Sequence, residues 1–432
     1  MKQPLSMDRA RRRQLVVLLI GLVLLLLLTR DRPGSWSDLS RLATAWAVSE
    51  HCTLQIDTPD NYFGAATGDK ALINGHFYSD KPPVMGVLAG VAAWGLKAAG
   101  GGFAQASRLC VYLLTLLFVG LPFLAYLALL LGRLPAGGDG LQLGLIALLG
   151  SLALPYASVF NNHLPAGCLL GLVMLRRLDR NAQPSAALAD GLLLGLASTL
   201  DLGAILAGGP LAAWVFLFRL TGSKARAAFI LAGLAPLALH AALTIPLTGD
   251  LGHPSLHPEL MLFPGARLAA GELTGVFGPA WSGAADWLGY LFDLTLGAKG
   301  FLTHNPLVFL GFLGLILALA GRPAQGGRLL AGAIALGATA LMVYYSLYSN
   351  NFGGYNYSIR WFILLIPLLL PYALTLLGGL TGVWRKAGLL LAWVSVGLVL
   401  AGWPDPWLPS HTESLDLIAG FKLWPGFLGK IF

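Results

Sequence analysis

Long apolar runs recur along the chain from residue 14 to about residue 403, and short polar connections separate them. Most of the runs hold about 17 to 25 residues, the length of a helix that crosses the hydrocarbon core of a bilayer. The pattern predicts eleven membrane spans, at 14–29, 109–132, 141–159, 165–178, 186–200, 203–218, 227–247, 303–321, 329–348, 361–380 and 387–403. We therefore expect an all-α polytopic membrane protein that forms a single transmembrane domain over residues 1–432.

Basic side chains lie on alternate connections, and this alternation predicts an orientation. With the N-terminus inside, the inner side holds 16 of the 28 Lys and Arg residues but only 4 of the 20 Asp and Glu residues, as cytoplasmic connections do. Four arginines between residues 9 and 13 precede the first run, which we expect to act as an uncleaved signal anchor. The outer side then receives two long connections, 30–108 and 248–302, short loops near 160–164, 201 and 349–360, and the tail from 404 to 432.

A further apolar run near 82–99 does not fit this alternation. If it crossed the membrane, every later basic connection would move to the outer side, so we expect a re-entrant or surface segment. Upstream, apolar residues between Trp36 and Val48 recur at helical spacing, which predicts a juxtamembrane amphipathic helix. The Asn74-Gly75 pair between two apolar-aromatic stretches predicts a short hairpin over residues 70–79.

Composition narrows the class of protein. With 56% hydrophobic and 11% charged residues, an ordinary water-soluble fold is excluded. The net charge of +8 is spread over short clusters between apolar runs, where it orients a membrane protein, so we expect no nucleic-acid partner. The sequence has no Walker motif and no Asp-X-Asp pair for a metal-bound nucleotide sugar. An energy-rich substrate must therefore reach the outer face as a lipid. No cofactor is assigned, and a need for a divalent metal is left open.

Charged residues collect at the membrane boundary of the first outer connection. Asp38 falls in the first turn of the predicted juxtamembrane helix, where the helix dipole favours an acid, and Arg41 follows one turn later. Asp69 precedes the predicted hairpin, and Asp80 and Lys81 follow it. Two prolines directly after Lys81 stop any helix from running back into these charges. A carboxylate beside cations suits general-base chemistry on an anionic substrate, whereas the spacing alone favours the plainer explanation, an acid placed at the helix start by the helix dipole.

Three stretches resemble the GT-C glycosyltransferases. They are the acid three residues before Arg41, the stretch 50–57, and above all Tyr-Ser-Asp-Lys-Pro-Pro at 78–83. The most similar patterns are those of protein O-mannosyltransferase-like enzymes and of the aminoarabinose transferases that modify lipid A. Residues 352–361 resemble the Gly-Gly-aromatic-X-Tyr-Gly-Pro-Arg-Tyr element that opens a late span in bacterial members, with Ser-Ile in place of the usual Gly-Pro.

This resemblance implies a GT-C-like helical bundle that takes a sugar from a polyprenyl phosphate donor. The sugar would pass to a hydroxyl of a lipid, glycan or protein acceptor at the outer face of a bacterial-type plasma membrane. The family's catalytic acid falls on Asp38, with Asp80 as the second candidate for the base. The residues expected to bind substrate are Arg41, Asp69, Lys81, His163, Asp201, Tyr355, Tyr357 and Arg360.

Each of the later candidates has a plainer explanation beside the functional one. His163 and Asp201 lie at outer span ends, where polar residues in apolar surroundings are costly and often functional, but both positions also suit helix capping. Tyr355 and Tyr357 could stack on a sugar or belong to an interfacial aromatic belt. Arg360 could make a bidentate contact with phosphate.

Two other functions remain as alternatives to a glycosyltransferase. One is a transporter or flippase of a lipid-linked sugar, and the other is an O-antigen ligase or polymerase. Transporters place charges and broken helices near the middle of the bilayer. Here the predicted spans carry almost no charge, and the ionisable residues collect at the outer boundary, which favours chemistry at the surface.

Overall fold

The computed structural model describes residues 4–58, 67–134, 139–178, 185–266, 281–321, 326–349 and 351–407. The helices of the first half are α1 Pro4–Leu28, α2 Trp36–His51, α3 Pro83–Ala98, α4 Phe103–Thr115, α5 Leu121–Leu131, α6 Gly140–Leu149, α7 Ala153–Ala157, α8 His163–Arg176 and α9 Ser185–Leu200. Those of the second half are α10 Gly203–Phe218, α11 Ser223–Thr248, α12 Pro258–Met261, α13 Ala284–Thr295, α14 Pro306–Leu319, α15 Gly327–Tyr348, α16 Ile366–Gly379 and α17 Gly382–Gly402.

The expected all-α polytopic fold is confirmed. A helix or a pair of helices lies at each predicted span, and a π-helical turn joins α4 to α5 in one apolar segment. Five helical segments of the described chain are long and apolar enough to cross a membrane, and shorter apolar helices of 10–17 residues lie among them. The predicted span at 141–159 is instead two helices, α6 and α7, because the chain breaks at Gly150. The number of crossings, eleven, stays a prediction.

Burial separates the centre of the bundle from its lipid-facing rim. In the segment Arg360–Gly379, which ends in α16, 78% of the most apolar 18-residue stretch is buried. In α11 the corresponding share is only 17%. Large apolar side chains of α11, such as Leu231 and Leu234, are exposed on the outside of the bundle. Such a face is stable only against lipid. The 3-10 turn Arg360–Leu365 leads into α16, so Arg360 stands at the head of a largely buried helix.

The first outer connection is folded against the bundle. Helix α2 matches the predicted juxtamembrane helix, but it is buried on nearly all sides because α3 packs along it. Gly86 and Gly90 of α3 allow the close approach, since a Cβ at these positions would lie 2.9 Å from Thr44 Cβ and 2.5 Å from Val48 Cβ. The segment near 82–99 is therefore a helix that covers α2, and its re-entrant or surface placement stays a prediction.

The predicted hairpin is also present. Strands β1 Lys70–Ile73 and β2 His76–Ser79 pair antiparallel. Asn74 and Gly75 both have positive φ, 51° and 84°, as a two-residue hairpin turn requires. Ser40 of α2 donates to the Asp69 carbonyl at 2.6 Å and lies 2.6 Å from the Ser79 hydroxyl. The hairpin is thus tied to the middle of α2.

The second outer connection reaches back to this region. Its first part holds a 3-10 turn, Pro254–Leu256, and the short helix α12, and α13 comes later. The Ser255 amide donates to the Asp80 carbonyl at 3.0 Å, and His253 Nδ1 lies 3.1 Å from the same oxygen. Residues 267–280 of this connection and most of the predicted outer tail, 408–432, lie outside the described residues.

Candidate active site

Polar residues from several connections meet at one end of the bundle. The connections are the ones that the sequence places on the same side of the membrane, including 30–108, 160–164, 201, 349–360 and the start of the tail. The residues concerned are Asp38, Arg41, Asp69, Asp80, Lys81, Asn162, His163, Asp201, Arg360 and Trp407.

Asp38 lies under the first turn of α2 and is 1% exposed. Its Oδ1 accepts hydrogen bonds from the Ser35 amide, the Ser35 hydroxyl and the Leu39 amide, while Oδ2 accepts one from the Gly34 amide at 2.8 Å. Ser35 and Asp38 thereby form a capping box. Burial raises the pKa of Asp38 from 3.8 to about 6, despite these hydrogen bonds. Asp38 therefore has a structural role, and it also has the pKa of a carboxylate poised to exchange a proton near neutral pH.

Arg41 is buried one turn further along α2 without a carboxylate partner among the described residues. Its Nη1 donates to the Ser37 carbonyl and hydroxyl, each at 2.7 Å, and Nη2 donates to Asn162 Oδ1 at 2.7 Å. Burial and, after it, the neighbouring Arg360 guanidinium lower its pKa to about 10. The positive charge is held by neutral acceptors only, so the group can still bind an anion.

Asp69, Lys81 and Asp80 form a second charged group beside α2. Lys81 Nζ lies 2.7 Å from Asp69 Oδ2 and 2.8 Å from Asp80 Oδ2. Asp80 is 2% exposed, and burial raises its pKa. Partial burial also raises the pKa of Asp69, but the Lys81 ammonium outweighs it and leaves the pKa below its usual value. Two carboxylates that share one ammonium thus differ in their affinity for a proton.

Arg360 is the first residue of the 3-10 turn that leads into α16. The turn before it uses Ser358 in a left-handed conformation, φ 60°, which glycine adopts more readily than serine. The Arg360 guanidinium stands 5.8 Å from the centre of the Trp407 ring and makes no ion pair with any described carboxylate. Gly34, whose amide donates to Asp38, packs against the five-membered ring of this indole. Trp407 therefore lies between Arg360 and the start of α2.

Three hydrogen-bond donors of this region are buried without an acceptor among the described residues. They are Arg41 Nε, Arg360 Nε and Trp407 Nε1. A buried donor that lacks an acceptor costs about 1–3 kcal/mol, so three of them near one another favour an anion-binding pocket. Asp80 Oδ1 is the corresponding buried acceptor without a donor.

His163 and Asp201 form a buried pair next to Arg41. The imidazole Nδ1 hydrogen-bonds to Asp201 Oδ2, and Asp201 Oδ1 accepts from the Gly203 amide at 2.9 Å. The preceding residue, Asn162, binds Arg41 through its side-chain oxygen and donates to the Leu200 carbonyl at 2.9 Å. The structure thus brings His163 and Asp201 into direct contact, although they are far apart in the sequence.

The two tyrosines have different surroundings. Tyr355 is 49% exposed, at the surface of the loop that precedes Arg360. Tyr357 is completely buried, donates its hydroxyl hydrogen to the Leu398 carbonyl at 2.8 Å and packs its ring edge-on against His304. Tyr357 thus supports the fold, and Tyr355 remains a candidate for contact with substrate.

Sequence reasoning missed two members of this site. Trp407 follows the last span in a Pro-Asp-Pro-Trp stretch, which signals a turn but not a return to the site. Asn162 lies in the predicted outer loop near 160–164, and no local sequence pattern pairs it with Arg41. As to metals, the described residues contain no group of three or more His, Cys, Asp or Glu side chains that could hold an ion.

Comparison with known proteins was made at the level of sequence and of structure. No protein-family model and no curated protein matches the sequence. A crystal structure of ArnT from Cupriavidus metallidurans bound to undecaprenyl phosphate superposes on the chain with a TM-score of 0.55, covering 96% of this chain and 76% of ArnT. The chain has the fold of ArnT. The expected polytopic helical bundle is thereby confirmed at the level of the fold, with a sequence identity of only 15%.

A crystal structure of ArnT from the same organism in the apo state gives a similar match. Its TM-score is 0.52, and the match covers 96% of this chain and 73% of that one, again with 15% identity. The shared fold extends over nearly all of this chain. At this identity the likeness concerns the arrangement of helices.

Proposed function

We propose that the protein is a GT-C-type glycosyltransferase that moves a sugar from a polyprenyl phosphate to an acceptor hydroxyl at the membrane surface. The observation that carries this proposal is the group of buried donors without acceptors formed by Arg41, Arg360 and Trp407. A lipid phosphate would supply the missing acceptors. The match to ArnT, which has been crystallised with undecaprenyl phosphate, supports the same class of ligand.

The phosphate binds between the two guanidinium groups in this proposal. Arg360 has no carboxylate partner in the described chain, so two of its guanidinium nitrogens can donate to the phosphate oxygens. Arg41 is held rigidly by Ser37 and Asn162, so its remaining Nε donor is preorganised. Low exposure strengthens both contacts, since few waters compete for the charges.

Asp38 is the general base of the proposed transfer. Its Oδ2 accepts a single hydrogen bond, so a lone pair is left for the proton of the acceptor hydroxyl. A pKa of about 6 keeps the carboxylate ionised at pH 7 and leaves it a stronger base than an exposed aspartate. The acceptor oxygen forms a bond to the anomeric carbon, and its proton passes to Asp38. The bond from that carbon to the phosphate oxygen breaks, and polyprenyl phosphate leaves with the electron pair. Attack from the opposite face would invert the anomeric carbon.

Lys81 serves the other side of the reaction. Its ammonium, held by Asp69 and Asp80, would add a positive charge that stabilises the departing phosphate. Asp80, whose pKa is raised, is the second candidate for the base, because its Oδ1 is buried without a donor.

The site faces the non-cytoplasmic side of the membrane in this proposal. The connections that form it are the ones poor in Lys and Arg, and the N-terminus with its four arginines belongs to the opposite side. A bacterial-type plasma membrane, with the acceptor supplied at its periplasmic or extracellular face as a lipid, glycan or protein, fits this placement.

A transfer assay in proteoliposomes tests the proposed function. Purified protein is supplied with a panel of radiolabelled polyprenyl phosphate sugars and crude membrane acceptors. We expect Arg360→Ala to lower turnover at least about 100-fold, the usual cost of removing a preorganised charge donor. Arg108→Ala is the matched control, because Arg108 is 64% exposed near Asp31 and should leave turnover unchanged. Movement of labelled lipid between leaflets without any transfer would overturn the proposal in favour of a flippase.

A further inference from the structure

The pair formed by His163 and Asp201 has no assigned part in the proposed transfer. Both side chains are buried, at 6% and 2% exposure, at the junction of α8, α9 and α10. Burying an acid and an imidazole in a membrane protein is costly, so the pair needs an explanation. Helix capping explains only half of it, because Asp201 Oδ1 caps α10 through the Gly203 amide.

The capping role expected for His163 is filled by another residue. Asn161 Oδ1 accepts from the Leu164 amide at 3.0 Å, which satisfies a free donor at the start of α8. Asn162 in turn connects Arg41 to the Leu200 carbonyl. The imidazole of His163 is therefore not needed to close this helix end.

The contact with Asp201 determines which nitrogen of His163 can bind a ligand. An ionised carboxylate only accepts hydrogen bonds, so the proton of the imidazole must be on Nδ1. Burial, and after it the guanidinium groups of Arg360 and Arg41, holds the pKa of His163 below its usual value and disfavours a second proton. Nε2 is thus an acceptor, and no described residue donates to it.

We propose that His163 Nε2 accepts a hydrogen bond from a hydroxyl of the transferred sugar, with Asp201 as its positioning residue. This inference rests on the proposed function, which places the lipid phosphate at Arg41 and Arg360. The sugar is bonded directly to that phosphate. Its ring therefore lies within reach of His163, because His163 directly follows Asn162, which binds Arg41. As positive charge develops on the ring, the negative Asp201 behind the imidazole strengthens the bond.

The test compares two probes, polyprenyl phosphate and polyprenyl phosphate mannose, on detergent-solubilised full-length protein. His163→Phe should leave the Kd of polyprenyl phosphate within about twofold and raise the Kd of the mannosyl lipid about tenfold, the effect of one lost hydrogen bond. Asp201→Asn should give a smaller selective loss, because the amide of Asn donates to Nδ1 and moves the ring proton to Nε2, which can then donate to the sugar hydroxyl but no longer accept from it. This second variant keeps an oxygen for the Gly203 amide and protects the test against misfolding.

The outcomes separate this inference from the proposed function. If the wild-type protein binds neither probe, the proposed function fails and the sugar contact fails with it. If polyprenyl phosphate binds normally and both variants weaken the two probes equally, the pair is structural and the inference is overturned. Selective weakening of the mannosyl lipid in both variants supports it.

Discussion

Replacing Asp38 by Asn separates the charge of this carboxylate from its role as a helix cap. The amide oxygen of Asn can still accept from Ser35 and Leu39, so the start of α2 keeps most of its hydrogen bonds. The amide nitrogen, however, faces the Gly34 amide, which is itself a donor. One hydrogen bond is lost there, at a cost of about 1–3 kcal/mol.

A second effect on stability has the opposite sign. The pKa of Asp38 rises from 3.8 in the unfolded chain to about 6 in the folded protein, so the protonated form is favoured on folding. Its stabilising contribution is complete below pH 4 and is lost as the pH rises through 6, which makes the ionised group cost about 3 kcal/mol at pH 7. Asn avoids this cost. We therefore expect Asp38→Asn to change the melting temperature at pH 7 by only a few degrees.

Activity should respond far more strongly than stability. Loss of a general base slows transfer by about 10²–10⁴-fold. In the wild-type protein, kcat/KM should fall about tenfold per unit below pH 6 as Asp38 becomes protonated, and the residual activity of Asp38→Asn should lack this limb. The assay is the proteoliposome transfer reaction, run from pH 5 to pH 8.

The control for this variant is Ser35→Ala. It removes the hydroxyl that caps α2 and costs about 1 kcal/mol, but it leaves the Asp38 carboxylate in place. Its turnover should stay close to that of the wild type. Full-rate transfer by Asp38→Asn, or an unchanged pH profile, would refute the assignment of Asp38 and move it to Asp80.

Two further predictions concern stability, measured by thermal unfolding in detergent. Lys81→Met should destabilise the protein by about 3–5 kcal/mol at pH 7, because it leaves Asp69 and Asp80 without their shared cation, and the loss should shrink as the pH falls and Asp69 is protonated. Lys97→Met, which removes a partly exposed ammonium from the single carboxylate of Glu50, should cost less. Gly90→Ala should lower the melting temperature because its Cβ would collide with Val48, whereas Gly95→Ala on the same helix meets open space and should not; equal melting temperatures for the two would contradict the packing of α3 on α2.

Much of the fold follows from local patterns in the sequence. Apolar runs gave the positions of the helices because a bilayer demands about 20 apolar residues for each crossing. The Asn-Gly pair gave the hairpin because its two residues accept positive φ more readily than others do. The alternation of basic connections singled out the segment 82–99 as an apolar run that does not fit the pattern of spans. The structure shows it as a helix that lies along α2.

The site itself was only partly predictable. Sequence spacing placed Asp38 and Arg41 one turn apart, and the Asp-Lys-Pro-Pro motif singled out Asp80 and Lys81. The sequence could not show that Lys81 also forms an ion pair with Asp69, because that contact depends on how the hairpin packs on α2. Nor could it pair Asn162 with Arg41 or bring Trp407 to Arg360, since these contacts join distant parts of the chain through the packing of the bundle.

Extensive burial of α2 was also unexpected from its sequence. A helix with Leu39, Leu42, Ala43 and Trp46 on one side predicts a single buried face. The opposite side carries small residues such as Ser40 and Thr44, which accept the hairpin and α3 as a second layer. Small polar residues leave no periodic signal for such a contact.

The most direct test of the central claim is the binding of radiolabelled polyprenyl phosphate, without sugar, to the purified full-length protein. The wild type should bind it, Arg360→Gln should weaken binding roughly 10- to 100-fold through loss of a charged hydrogen bond, and Trp407→Phe should weaken it several-fold through loss of one indole donor. Arg108→Ala should bind like the wild type. Equal binding by all four proteins would contradict the assignment of the buried donors as the phosphate site.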